Sequence, residues 1–253
     1  MAISSSLDAE SRRSRLLEIL GAEGRITISD AAETLGVSEM TLRRDLGDLE
    51  SLGQVRRVRG GAVAPLQPQS FSERSSKQAA AKRLIAQKAQ CLVPREGVCA
   101  FDASSTIGVL LSGLSDAADL TVVTNSAENF RAAEDRPGVT PVLVGGHRER
   151  RTDSFVGPHA SLAAASLHYS AFMTSAAALD AEWGSSEATA GEAALKRVFH
   201  EHADITVLLV DSSKLNSRAV ARALGLEEVD VLVTELDPSH PRLDAYRPAV
   251  ELL

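Results

Sequence analysis

Apolar residues recur at helical spacing three times near the start of the chain, over residues 11–21, 29–35 and 38–52. The first run holds Leu16, Leu17, Ile19 and Leu20 and stops at Gly21. Thr27 or Ser29 can cap the second, and Gly36, Val37 and Ser38 form a tight turn whose serine can cap the third. Short helices joined by such a turn predict a helix-turn-helix. Residues 54–61 then set Val55 and Val58 among three arginines and end on two glycines, which predicts a short hairpin or wing.

From 65 to 76 the chain is rich in Pro, Gln and Ser without an apolar period, so it reads as a linker. A helical pattern returns over 77–93 through Ala81, Leu84, Ile85, Lys88 and Leu92. Beyond it, apolar runs at 98–102, 120–125, 139–145, 170–174, 205–211 and 229–234 alternate with helical stretches at 106–114, 127–133, 157–165 and 191–202. This alternation predicts a mainly parallel sheet covered by helices, with 249–253 available as a last strand. The expected fold class is α/β: a winged helix-turn-helix domain over 8–64, a linker over 65–76 and a mainly parallel α/β domain over 77–253.

A rotation of about 100° per residue puts Leu42, Leu46 and Leu49 on one stripe of the third helix. Met40, Arg44, Gly47 and Ser51 then point away, flanked by Thr41 and Arg43. A capped helix with this face fits the major groove of DNA, where arginine's fork suits guanine and phosphate alike. Taken alone, Arg43 and Arg44 would be ordinary surface charges paired with Glu39 or Asp48.

Net charge changes the picture only locally. The chain carries 27 basic and 34 acidic residues, net −7, which argues against a protein that coats nucleic acid or anionic lipid by bulk electrostatics. Residues 40–61 nevertheless hold five Arg against Asp45, Asp48 and Glu50. No apolar run approaches the roughly 20 residues that cross a bilayer, and residues 1–8 lack the apolar core of a signal peptide. A cytoplasmic protein without membrane contact is expected. Cys91 and Cys99 read as reduced, buried thiols, and no metal site or cofactor is expected. His147, His159 and His168 have no neighbouring nucleophile or ligand pattern and are assigned no chemistry, His147 alone falling close enough to the pocket described next to touch a ligand.

In an open parallel sheet, ligands sit where strands end and helices begin, because free helix N–H groups attract anions. Asp102, Ser104, Ser105 and Thr106 follow one strand; Thr124, Asn125 and Ser126 follow the next. Gly145 and Gly146 permit close backbone approach, and Asp211, Ser212, Ser213 and Lys214 set a cation beside two hydroxyls. Each cluster alone is an ordinary cap or turn; their repetition at strand ends points to an anion pocket.

Residues 37–46, followed by Leu49, Glu50 and 58–62, closely resemble the DeoR family of bacterial transcriptional regulators. That family's signature runs Val-Ser-x-x-Thr-Ile-Arg-Arg-Asp-Leu through a leucine-glutamate pair to a basic segment and Gly-Gly-Ala; here Leu42 replaces the isoleucine. The resemblance implies a recognition helix over 39–51, DNA contacts by Ser38, Thr41, Arg43 and Arg44, and support from Arg57 and Arg59, with Arg56 a lesser candidate; Met40, on the outward face of that helix, is expected to join these contacts. It extends to the family's C-terminal sensor domain, similar in fold to sugar-phosphate isomerases. By that comparison Asp102, Ser104, Ser105, Thr106, Thr124, Asn125, Ser126, Gly145, Gly146 and Lys214 bind a phosphorylated sugar or similar metabolite. The chain departs from the pattern at Ala103, Ile107, Glu149 (flanked by Arg148 and Arg150), Tyr169 and the glycine-free stretch 174–179. The implied partners are a double-stranded DNA operator, the effector, and copies of the chain in a dimer or tetramer, since one short helix reads only a few base pairs. A non-enzymatic repressor of carbon-metabolism genes is expected. Two alternatives are an isomerase using Asp102, Asp211, Glu187 and Lys214 as acids and bases, and an architectural DNA-binding protein without an effector.

Overall fold

Helix, turn and wing follow one another over the first 63 residues. The computed structural model describes residues 2–51, 54–58, 60–63 and 69–253, without the side chains of 2–8, 21–23, 51 and 56. It divides into two units, Met1–Gln67 and Pro68–Leu253.

The first unit runs α1 (Ala2–Glu23), β1 (Arg25–Thr27), α2 (Ile28–Leu35), α3 (Glu39–Ser51), β2 (Arg56–Val58) and β3 (Gly61–Val63). α1 is longer than its apolar run, and β1 was not visible as a strand in so short a segment. Thr27 stands at the N-cap of α2 without a side-chain cap bond. The Ile28 amide instead donates to the Gly60 carbonyl at 2.9 Å. Gly36, left-handed at φ 64°, closes α2 by donating to Ala32 and Glu33 carbonyls. The strands order β1-β3-β2, all antiparallel. The two glycines of the wing have different reasons: Gly60 takes φ +85°, and a Cβ on Gly61 would lie 1.8 Å from the Ile26 carbonyl oxygen. Leu16, Leu20, Leu42, Leu46, Leu49 and Ala62 form the small core.

The second unit opens with α4 (Phe71–Ser76) and α5 (Ala79–Ala89). α4 shortens the expected linker from its far end. Ser70 and Glu73 form a reciprocal capping box that starts a helix where composition alone suggested a tether. There follow β4 (Glu96–Phe101), α6 (Ser105–Ser112), β5 (Asp119–Thr124), α7 (Ala127–Glu134), β6 (Val139–Leu143), β7 (His147–Glu149), β8 (Ser154–Val156) and α8 (Pro158–Ala165). The chain ends with β9 (Ala171–Thr174), β10 (Ala178–Asp180), β11 (Gly184–Glu187), α9 (Ala190–Glu201), β12 (Thr206–Leu209), β13 (Ala221–Arg222), β14 (Val231–Val233) and β15 (Glu251–Leu252).

Seven of these strands form one parallel sheet in the order β15-β14-β12-β9-β4-β5-β6. The chain winds outward from β4 to β6, then returns to the other side of β4 and continues through β9 to β15. Order therefore reverses between β4 and β9, the position where open α/β sheets leave a crevice for ligands. Register aligns their ends, with Phe101 opposite both Thr124 and Met173. One face packs Ile85, Phe101, Ile107 and Leu110; the other packs Tyr169, Phe172, Phe199 and Leu208. A three-stranded sheet, β10-β11-β13, and the hairpin β7-β8 complete the unit. Cys99 is buried, which pushes its thiol up to about 11, but Cys91 is exposed, contrary to expectation: the 3-10 turn after α5 leaves it outside the helix's buried face. No described helix is long and apolar enough to cross a membrane.

Candidate functional site

On α3, Ser38 Oγ accepts the Thr41 amide at 3.2 Å and lies 2.9 Å from the Thr41 hydroxyl. These two residues therefore start the helix and bond to each other. Leu42, Asp45, Leu46 and Leu49 are buried. Met40, 72 % exposed, lies outward with Arg43 and Arg44. Arg43 pairs with Glu39 at 3.0 Å between two exposed side chains, a weak bond that a phosphate can replace. Asp45 turns inward to meet Arg12 of α1 through Nε at 2.5 Å and Nη2 at 3.0 Å. The run Arg43-Arg44-Asp45-Leu46 thus divides, its cations outward and its anion and leucine inward.

The wing is fastened to the same helix. Glu50 Oε1 accepts the Arg57 amide at 2.9 Å, and Arg57 Nη1 lies 3.8 Å from where a Cβ on Gly47 would stand. A small residue on α3 therefore makes room for an exposed wing arginine. Arg59, and the side chain of Arg56, lie outside the described residues.

In the second unit, the residues after β4 and β9 meet across the crevice. Asp102 accepts the Ser104 amide on Oδ1 at 2.8 Å. Its Oδ2 accepts the Thr174 hydroxyl at 2.7 Å and the Ser175 amide at 2.9 Å, and pairs with Lys196 at 2.8 Å. Burial works against its charge, but Lys196 and these donors outweigh it and hold the carboxyl below its ordinary value. Asp102 is thereby a lock between strand ends rather than a free acceptor. Ser104 caps α6, and Ser105 Oγ accepts from Lys82 Nζ at 3.0 Å. Thr106 is buried with its hydroxyl unpartnered. The amides of Ser105 and Thr106 open α6 and have no acceptor within it.

The loop after β5 is tied in by Asn129, whose Nδ2 donates to the Asp102 carbonyl at 2.7 Å and the Ser104 carbonyl at 3.1 Å. Thr124 and Ser126 spend their hydroxyls accepting the amides of Ser126 and Asn129. Asn125 donates to the Phe155 carbonyl at 3.1 Å and leaves Oδ1 buried without a partner. Gly146 is required by packing, since a Cβ there would lie 2.7 Å from the Val156 oxygen; Gly145 faces open space. His147 is exposed, its ring covering Gly157.

Cations converge on the start of α6. Lys214, half-buried, donates to the Ala176 carbonyl at 2.6 Å. Burial lowers its pKa, Asp211 opposing. Burial also pushes Lys82 down to about 8, with the charges of Lys214, Arg74 and Lys77 adding to the effect and Asp211 again opposing. Lys82 and Lys214 thus feel each other and Arg74, with Asp211 acting on both lysines and Glu187 on Lys214. Beside them, buried Lys196 donates to Glu187 at 2.5 Å and to the Ser175 carbonyl at 2.6 Å. Burial raises Glu187 to about 7, Lys196 opposing and Glu192 adding.

Arg74, Lys82 and Lys196 escaped the sequence reading. Two had a signal: Lys82 shares the buried face of α5 with Ile85, Ala86 and Ala89, and Lys196 sits on that of α9 with Glu192 and Phe199. A lysine on an apolar helical face needs a partner. Several departures from the family pattern have local reasons. Ile107 is a core residue, and Ala103 offers its carbonyl to Arg74 at 3.0 Å. Tyr169 is a core residue whose hydroxyl donates to the Ala164 carbonyl at 2.7 Å. In the glycine-free stretch, the Ser175 and Ala176 carbonyls anchor the two lysines.

Two family profiles match: a DeoR-like helix-turn-helix domain over residues 12–67 and a DeoR C-terminal sensor domain over residues 77–236. The HTH-type transcriptional repressor GlcR of Bacillus subtilis is 31% identical, covering 96% of this chain and 95% of that protein. The L-fucose operon activator of Haemophilus influenzae is 30% identical, over 87% of this chain and 89% of its own length. Among solved structures, ribose 5-phosphate isomerase A from Neisseria gonorrhoeae matches at TM-score 0.36 and 18% identity, covering 54% of this chain and 53% of that one. Likeness at that level does not extend to activity.

Proposed function

This chain belongs to the DeoR family of transcriptional regulators, and from that premise we propose that it represses carbon-metabolism genes by binding operator DNA, and that a phosphorylated sugar held at the start of α6 tunes that binding. Arg44 and Met40 read base edges, Arg43 and Arg57 take phosphates, and Ser38 and Thr41 act by setting the helix's first turn. The repressor sign follows the name of GlcR, and a sugar-linked role follows the name of the fucose operon activator.

The observation that carries the effector reading is the buried, partnerless Thr106 hydroxyl at a helix N-terminus whose first residue, Ser105, accepts from Lys82, with Lys214 and Arg74 near enough to act on that lysine. A phosphate there would receive the Ser105 and Thr106 amides, the Thr106 hydroxyl and the two donors that Lys214 has to spare. The unpartnered Asn125 Oδ1 and Ser175 Oγ are available to sugar hydroxyls. An isomerase role has less support, because Asp102 and Glu187 are committed to Lys196. Operators built of repeated half-sites, read by a dimer or tetramer in the cytoplasm, complete the proposal.

The test is thermal stability of the whole protein against phosphorylated and free sugars, since a ligand of the native state raises stability with occupancy. At least one sugar phosphate is expected to raise the melting temperature, its free sugar to do nothing, and Lys214→Ala to remove the shift. A panel of pentose and hexose phosphates without effect would refute the reading.

A further inference from the structure

The segment that enters the second unit is tied to the effector loop by two cations, Lys82 and Arg74. α4 starts from the Ser70–Glu73 capping box, and Gln78, at φ 52°, turns the chain into α5. Lys82, buried on the first turns of α5, reaches back across that bend. Its Nζ donates to the Arg74 carbonyl, to the Lys77 carbonyl at 2.8 Å and to Ser105 Oγ at 3.0 Å. An ammonium has three N–H groups, so none is spare: two hold the end of α4 and one holds the first residue of α6.

Arg74 makes a second tie. Its Nη1 donates to the Ala103 carbonyl at 3.0 Å and its Nη2 to the Thr152 carbonyl at 2.7 Å, while its buried Nε has no partner. Phe71 seats α4 on α6, its ring only 2.9 Å from where a Cβ on Gly108 would stand.

We propose that Lys82 is the positioning residue that couples effector to α4: a phosphate at Ser105 draws the ammonium toward itself and frees the end of α4. The inference rests on the effector reading above. A phosphate oxygen is a stronger acceptor than a neutral carbonyl, and with all three donors committed the new bond forms only as an old one breaks. Ser105 can go on accepting from Lys82 while its own hydroxyl hydrogen donates to the phosphate, so the bonds that give way as the ammonium moves are those to the Arg74 and Lys77 carbonyls. α4 follows directly on the segment that joins the two units, so its release changes the tether of the DNA-binding unit.

Amide hydrogen exchange on the full chain tests this, with D-ribose 5-phosphate, D-fructose 6-phosphate and inorganic phosphate as probes and thermal shift as the parallel readout of binding. A probe that raises the melting temperature is expected to speed exchange over residues 71–78 several-fold, with α9 unchanged. Lys82→Gln is expected to exchange quickly there without any probe and to show no further response. Ser105→Ala, which removes only the loop-side tie, is expected to keep α4 protected until a probe binds, and it carries the test if Lys82→Gln does not fold. Probe binding with unchanged or slower exchange over 71–78 overturns the coupling and leaves the effector reading intact. If no probe shifts the melting temperature, the effector reading fails and the coupling falls with it.

Discussion

Arg44 is the outward arginine of α3 without the intrahelical ion pair that engages Arg43. Its removal should therefore weaken operator binding about 5- to 150-fold and leave the fold unchanged, since a bidentate arginine–base contact is worth about 1–3 kcal/mol. Anisotropy titration and thermal melting of Arg44→Ala check both halves. Met40 beside it offers an exposed thioether to the groove, where thymine's methyl is the apolar feature. Replacing single operator thymines by uracil should lower wild-type affinity about three- to fivefold at one position, as expected for one methyl's burial, and leave Met40→Ala indifferent there. Glu187 binds its proton more tightly in the folded chain, at about 7 against an ordinary 4.5. Its contribution to stability is complete below about pH 4.5 and is lost as pH rises through about 7. Melting temperatures of Glu187→Gln should hence fall less than the wild type's between pH 5 and 8; parallel curves would contradict the assignment. At this scale the outward side chains of α3 were visible in the sequence because one helical stripe fixes the other. The commitments of Asp102, Thr124 and Ser126 were not, because a hydroxyl or carboxyl after a strand looks the same whether it faces ligand or caps its neighbour.

The wing shows what an element requires beyond its residues' propensities. A Cβ on Gly61 would strike the Ile26 carbonyl at 1.8 Å, so Gly61→Ala must part β1 from β3. Loss of about 2 kcal/mol or more is expected in the DNA-binding unit alone, seen by calorimetry as one transition lowered and the other unmoved. The major strands of the second unit could be read from the sequence because each is a short apolar run, and β9 and β12 at the centre are buried on both faces. β10, β11 and β13 could not, since they are built from small and polar residues such as Gly184, Ser185 and Ser186. α4 was hidden by its serines, although Ser70 and Glu73 stand at capping-box spacing.

For the whole molecule, sequence order decides where the sites lie. β4 starts the sheet from its middle, so the loops after β4 and β9 face each other at the reversal of strand order, and the cations of α4, α5 and the loop after β12 converge on them. On the proposed reading ligand and DNA act on separate units, and a coupling of ~1–3 kcal/mol would alter operator affinity about 5- to 150-fold. The decisive measurement is operator affinity of the full chain, on DNA recovered from a random pool, while phosphorylated and free sugars are titrated in. The account predicts selective enrichment of repeated half-sites and a fall in affinity of at least fivefold with one sugar phosphate, absent with the free sugar and in Lys214→Ala. No enriched sequence, or affinity indifferent to every sugar phosphate, would contradict it.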